Sequence, residues 1–112
     1  MSQYLVELYS PNASWQALPV EQRKQFLNGI QAAMGSLSSL GVEILALSET
    51  EVDIDQTSGH RYLGIWRFPD VQARDVPLAG INASGWYGYF DHVNAASSAG
   101  SFTSHMAALA DV

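Results

Sequence analysis

RYLGIWRFPD, residues 61–70, is the stretch on which the fold turns. Its first eight residues are rich in aromatic and β-branched types and read as a strand. Alternation puts Tyr62, Trp66 and Phe68 on one face and Leu63 and Ile65 on the other, so both faces are apolar. Pro69 and Asp70 then open a helix, with Asp70 as the expected N-cap.

The neighbours fall into place on either side. Upstream, the acidic EVDIDQTSGH (51–60) ends in turn-formers and joins this strand to VEILALSE (42–49), which favours an antiparallel hairpin. Before that, Pro19 and Glu21 open a helix in which Phe26, Leu27, Ile30, Ala33, Met34 and Leu37 recur three and four apart, and Gly41 ends it. QYLVELY (3–9) is the first strand, with Tyr4, Val6 and Leu8 on one face and Leu5, Glu7 and Tyr9 on the other. Downstream, the second helix carries Pro77, which is expected to kink or split it, and stops at Gly85. YGYFDHV (87–93) is the fourth strand. AASSAGS after it is linker-like, and SHMAALA forms one or two helical turns.

The order is βαββαβ, and each helix must cross back over the sheet. This predicts an α+β, ferredoxin-like fold: an antiparallel four-stranded sheet of order 4-1-3-2, both helices on one face, over residues 1–96, with a small-residue tail at 97–112. The other face is not polar. A second copy packed sheet to sheet about a twofold axis is the expected cover, giving a homodimer.

Composition closes several routes. Net charge is −6, and the five basic residues (Arg23, Lys24, Arg61, Arg67 and Arg74) are scattered. Nucleic acid and anionic membranes both need clustered cations, so neither is an expected partner. Cysteine is absent, which excludes disulfides and thiolate chemistry. MSQYLVELYS lacks the basic start of a signal peptide, and no apolar run approaches the roughly 18–20 residues of a membrane span, so a cytoplasmic location is expected. His60 and His105 are dispersed, and no metal site is expected.

Six residues are candidates for chemistry. His92 can act as acid or base near neutrality, or simply be a strand-end His bonded to backbone. Alternation sets it on the face of Trp86 and Phe90, with Tyr87, Tyr89 and Asp91 opposite. Glu7 is a charge in the middle of a central strand. It is either a catalytic carboxylate or half of a structural pair with Arg67 or Arg61. Tyr62, Trp66, Trp86 and Phe90 either wall a pocket for a flat apolar ligand or fill core and interface. Gly64 and Gly88 leave gaps beside the sheet.

YLVELYSPN, LP-x-EQR, LGVE, GIWRFPD and ASGWY-x-YFD-x-VNA together resemble a small bacterial family of the dimeric α+β barrel group, which also contains YCII-related, antibiotic-biosynthesis-monooxygenase and polyketide-cyclase-like proteins. The resemblance covers residues 3 to about 96. It implies a homodimer with a cavity between sheet and helices in each subunit, where His92 matches the position of a sheet His or Asp. The group hosts cofactor-free oxygenases, cyclases, haem degraders and plain binding proteins. Haem degraders resemble one another in an Asn on the first strand, a Trp on the third and a His on the second helix. Here Trp66 is present, but Glu7 replaces the Asn and the helix has no His, which argues against haem. The expectation is an enzyme without a bound cofactor, acting on a small aromatic or polyketide-like metabolite, or a non-catalytic binding dimer.

Overall fold

β1 (Gln3–Pro11) is the strand to which everything else is fastened. A computed structural model describes residues 1–112. β1 pairs antiparallel with β3 (Tyr62–Phe68) on one side and with β4 (Phe90–Ser98) on the other. β2 (Glu43–Glu49) pairs antiparallel with the far edge of β3, across a bulge at Ile44/Ala46. The sheet order is β2-β3-β1-β4, the ferredoxin-like α+β arrangement expected from the sequence.

The helical segments follow from local signals. Asn12 caps the short α1 (Ala13–Gln16) by accepting from the Trp15 N–H. This one-turn helix carries no period and was not foreseen. Its Trp15 is buried against Phe26 and Phe90. α2 (Val20–Met34) follows Pro19, and a 3-10 turn at Leu37–Leu40 ends on Gly41 in the left-handed region, φ 81°. Asp70 caps α3 (Val71–Ser84), its Oδ1 accepting from Ala73 N at 2.8 Å. Pro77 does not split α3, which runs through it as one helix. Pro77 turns its ring to the cavity described below.

The largest departure lies at residues 86–89. They form a short helix, α4 (Trp86–Tyr89), and not the start of the fourth strand. Gly85, at φ 89°, ends α3 and starts α4 together. Trp86 and Phe90 still share a side, because four residues is one helical turn: their rings stack 4.0 Å apart. Tyr87 and Tyr89, expected on the opposite sheet face, lie elsewhere. Tyr89 packs on Trp15 and Phe26, and Tyr87 sits edge-on to His92. β4 then runs on to Ser98, so the boundary expected at residue 96 falls inside a strand. Nine successive pairings with β1 hold AASS extended despite its linker-like composition.

The core is small: Leu5, Leu37, Val42, Trp66 and Phe68, between the sheet and the helices. The opposite sheet face, with Val6, Leu8, Leu63 and Ile65, is half-buried. α5 (Phe102–Ala110) is capped by Ser101 and Ser104 and is exposed throughout. The radius of gyration, 16.1 Å, exceeds the roughly 13 Å of a compact chain this long. No helix is long and apolar enough to cross a membrane.

Candidate functional site

β1 alternates, so Leu5, Glu7 and Tyr9 face the helices together. Beside them on β3 stand Trp66 and Phe68, with Gly64 opposite Glu7 in the register. α2 and α3 do not close down on this surface. They leave a cavity of about 190 Å³, lined by fifteen residues of which twelve are hydrophobic. Ile30 and Met34 of α2 and Pro77, Leu78 and Ile81 of α3 form its far wall, and Trp86 and His92 stand at one end. A wider groove of about 490 Å³ between α2 and α3 shares Ile30, Met34, Leu37, Pro77 and Ile81 with it.

The polar content is sparse and ordered. Glu7 has no cationic partner: Arg67 pairs instead with Glu43, and Arg74 with Asp75. The Glu–Arg pair weighed from the sequence is not formed. Burial pushes the Glu7 carboxyl above its usual range, and the nearby Trp66 indole offsets part of this. Trp66 is 6% exposed, and its indole N–H is buried without a hydrogen-bond partner. It lies close to the Glu7 carboxylate but outside hydrogen-bonding geometry.

His92 is tied down on both ring nitrogens. The Trp86 indole donates to its Nδ1 at 3.0 Å, so Nδ1 carries no proton. A neutral ring then has its proton on Nε2, which donates to Asn94 Oδ1 at 2.7 Å. Asn94 Nδ2 in turn donates to the Tyr87 hydroxyl at 3.2 Å. Tyr9 stacks on the imidazole, ring centroids 5.5 Å apart and planes 7° from parallel. Burial lowers the His92 pKa, the Asn94 bond opposes this, and the charge of His60 adds to the lowering.

Of the six residues expected at the site, Glu7, Trp66, Trp86 and His92 line the cavity. Tyr62 and Phe90 do not. Tyr62 stacks behind Tyr9 at 5.7 Å, and Phe90 lies beneath Trp86. Tyr9 was passed over. It shares the Glu7 face and pairs with His92 in the register, so alternation already carried the signal. Burial raises its pKa, as do the charges of Glu7 and Tyr62. No group of three or more His, Asp or Glu comes together as metal ligands do.

These shifts set the pH response of stability. His92 has a folded pKa below its ordinary 6.5. Its contribution is therefore present above pH 6.5 and lost as pH falls through the folded value. Glu7 has a folded pKa above its ordinary 4.5. Its contribution is present below pH 4.5 and lost as pH rises through the folded value. Urea denaturation from pH 4 to 8 is expected to show His92→Gln flattening the loss of stability as pH falls below 6.5 and Glu7→Gln flattening the loss as pH rises above 4.5. An unchanged profile in both variants contradicts the assignment.

A four-stranded antiparallel sheet of order β2-β3-β1-β4 with helices packed on it defines a ferredoxin-like α+β protein. The chain belongs to a family of unknown function, DUF6616, whose model matches residues 2–112. No curated protein matches the sequence. Among solved structures, a mutant chlorite dismutase from Candidatus Nitrospira defluvii is similar with a TM-score of 0.65 and 7% identity, over 93% of this chain and 43% of that one. A heme-binding protein from Thermus thermophilus gives 0.62 and 16%, over 87% of this chain and 39% of that one. This chain thus spans about two fifths of the length of either. A hypothetical Arabidopsis thaliana protein gives 0.56 and 13%, over 88% of both chains. At these identities the likeness is one of fold.

Proposed function

We propose that this chain is a homodimeric small-molecule protein whose cavity holds a compact, mostly apolar metabolite, with Glu7 as its acid–base group. The observation that carries the reading is a built-in apolar cavity holding a carboxyl that no cation neutralises. A structural carboxylate in this position would be paired or turned to water. One left unpaired against an apolar void is poised to exchange a proton with what enters. Size agrees: an engineered cavity of about 150 Å³ accepts benzene, and this one is about 190 Å³.

The hydrogen bonds at His92 favour Glu7 over His92 as the acid–base group. Its lone pair is spent on Trp86 and its proton on Asn94. Taking up a proton would break the Trp86 bond, so His92 positions Trp86 and Tyr9 while Glu7 moves the proton. Cofactor-free proton transfer, such as enolisation or cyclisation, is the reaction class this suits. The locked imidazole equally favours a second reading, a non-catalytic binder. The two part on whether Glu7→Gln abolishes turnover while binding persists.

Haem does not fit the residues present. His92 offers no free nitrogen. No Lys or Arg lines the cavity to meet propionates. About 190 Å³ is also below the roughly 300–1,000 Å³ of sites for drug-sized ligands, and haem is larger than those.

The test is a thermal-shift screen of one- and two-ring aromatic compounds against the intact chain at pH 6. Binding at one hundred times Kd adds about 2.7 kcal/mol, a rise of about 8 °C or more in a domain this small. Ile30→Trp, which fills the cavity, is expected to remove the rise. A screen without hits, or hits indifferent to Ile30→Trp, defeats the proposal.

A further inference from the structure

Two apolar surfaces of this chain lie uncovered, and one of them borders the cavity. α3 packs on β1 and β3, and the helix-side face of β2 is left bare. Ile44 and Leu47 stand on that face, opposite Trp66 and Gly64 in the register, and are 58% and 49% exposed. Leu47 also lines the cavity, so this flank of the site faces water. The other surface is α5. It is exposed at every residue, and Phe102, Met106 and Leu109, spaced four and three apart, form one apolar stripe along it. The stripe is about 10 Å long, which matches the roughly 10 Å from Ile44 to Leu47 along a strand. The chain cannot lay its own α5 there. The Ala99 N–H donates to Ser2 O and holds the end of β4 beside β1. β2 lies three strand spacings from β4, about 14 Å across. Gly100 and Ser101 carry the chain at most about 11 Å to the first residue of α5, and α3 stands in the way.

We propose that α5 of a second copy lies along the helix-side face of β2 and closes the cavity at Leu47, so that each site is built from both chains. This rests on the chain being a homodimer with an internal site and goes on to name what completes that site. A twofold axis running along the strands sets the β4 edge of one sheet against the β2 edge of the other. β2 and β4 are the two free edges of the sheet, and this arrangement leaves neither exposed. The end of β4 then comes level with the start of β2, because Ser97 and Glu43 share the row of Tyr4 and Arg67. α5 of the incoming copy starts at the foot of β2, where its short link suffices. The area agrees as well. Phe102, Met106, Leu109, Ile44 and Leu47 together expose the equivalent of nearly three free side chains. At roughly 150 Å² for each, the two symmetry-related contacts bury roughly 900 Å², over half of the about 1,600 Å² of a stable interface. The half-buried sheet faces supply the rest.

The chain has no cysteine, so single introduced cysteines report the contact directly. Leu47→Cys is mixed with an isotopically labelled chain carrying Phe102→Cys, Met106→Cys or Leu109→Cys, and disulfide formation in a glutathione redox buffer is followed by mass. All four positions are exposed, so the substitutions leave the core untouched. No chain carries two cysteines, and every bond therefore joins two copies. At least one of the three pairings is expected to form at least tenfold faster than Leu47→Cys with Ser104→Cys, which sits on the opposite side of α5. Equal rates for all four pairings, or no disulfide in any of them, overturn the proposal. A chain carrying both Leu47→Cys and Met106→Cys that closes on itself at the single-chain mass overturns it too, because its own α5 then reaches β2. If the wild type still scatters at twice the chain mass, these results leave a dimer joined by other surfaces. A wild type at the single-chain mass overturns the dimer as well.

Discussion

Leu5→Ala is expected to destabilise the protein by about 3–5 kcal/mol. Leu5 is 2% exposed, the most deeply buried large side chain. It joins Leu37, Val42, Trp66 and Phe68 into the only core cluster, and it also borders the cavity. Truncation therefore removes the transfer energy of the side chain and enlarges a void that already exists, so little can collapse to compensate. A domain of this size has roughly 5–15 kcal/mol to lose, and a small core puts this one toward the lower bound. Urea denaturation of Leu5→Ala should show a large loss in midpoint with the slope unchanged. Val6→Ala, next in sequence but on the half-buried opposite face, should cost about 1 kcal/mol. A Leu5→Ala loss below about 1.5 kcal/mol would mean that the core lies elsewhere.

What could be read from the sequence depended on range. Strands and long helices announced themselves through period. The alternation of RYLGIWRF was correct because that strand buries one repeating set of positions, whereas the stripe from Phe26 to Leu37 located α2 but overran it: Leu37 falls in the 3-10 turn, and Leu27 and Ala33 stay exposed. Asp70 and Gly41 were legible because capping is local chemistry. The failures had no local signal. Trp86 to Tyr89 looked like a strand because aromatics favour strands, yet four residues between Gly85 and Phe90 complete one turn of helix. Ala95 to Ser98 looked like linker because pairing with β1, ninety residues away in sequence, is what makes them a strand.

The site divided along the same line. Glu7 and His92 stand out in the sequence because each is a polar residue on an otherwise apolar strand face, and both border the cavity. Tyr62 and Phe90 stand behind other rings, because a shared face does not decide which ring touches the void. The hydrogen bonds that fix His92 come from Trp86 and Asn94. Trp86 reaches it from α4, which was not foreseen, so the role of His92 could not be inferred from pattern.

Ile65→Asp is expected to turn the proposed dimer into a monomer. On the face away from the helices, Val6 pairs with Ile65 and with Ala95, and Leu8 with Leu63 and Val93, in one continuous apolar patch across three strands. Val93 is 52% exposed there. Soluble chains seldom leave such a surface to water, and α5, nine residues long and exposed, is too short to hold its shape without a surface to lie on. Two copies related by a twofold axis meet both needs, and the axis doubles the effect of every substitution, because each residue enters the interface twice. Ile65 is already half-buried in the single chain, so pairing adds about a third of the 1.5–3 kcal/mol of a fully exposed isoleucine, about 1–2 kcal/mol per dimer or a rise in dissociation constant of roughly 5–30-fold. Desolvating the new carboxylate widens the gap further. Light scattering at micromolar concentration should give twice the 12.2 kDa chain mass for the wild type and the single chain for Ile65→Asp. Asn28→Asp, an exposed position on α2 across the sheet from the patch, serves as the control that adds charge without touching it. A wild-type peak at the single-chain mass would refute the dimer and would leave the apolar face to some other partner.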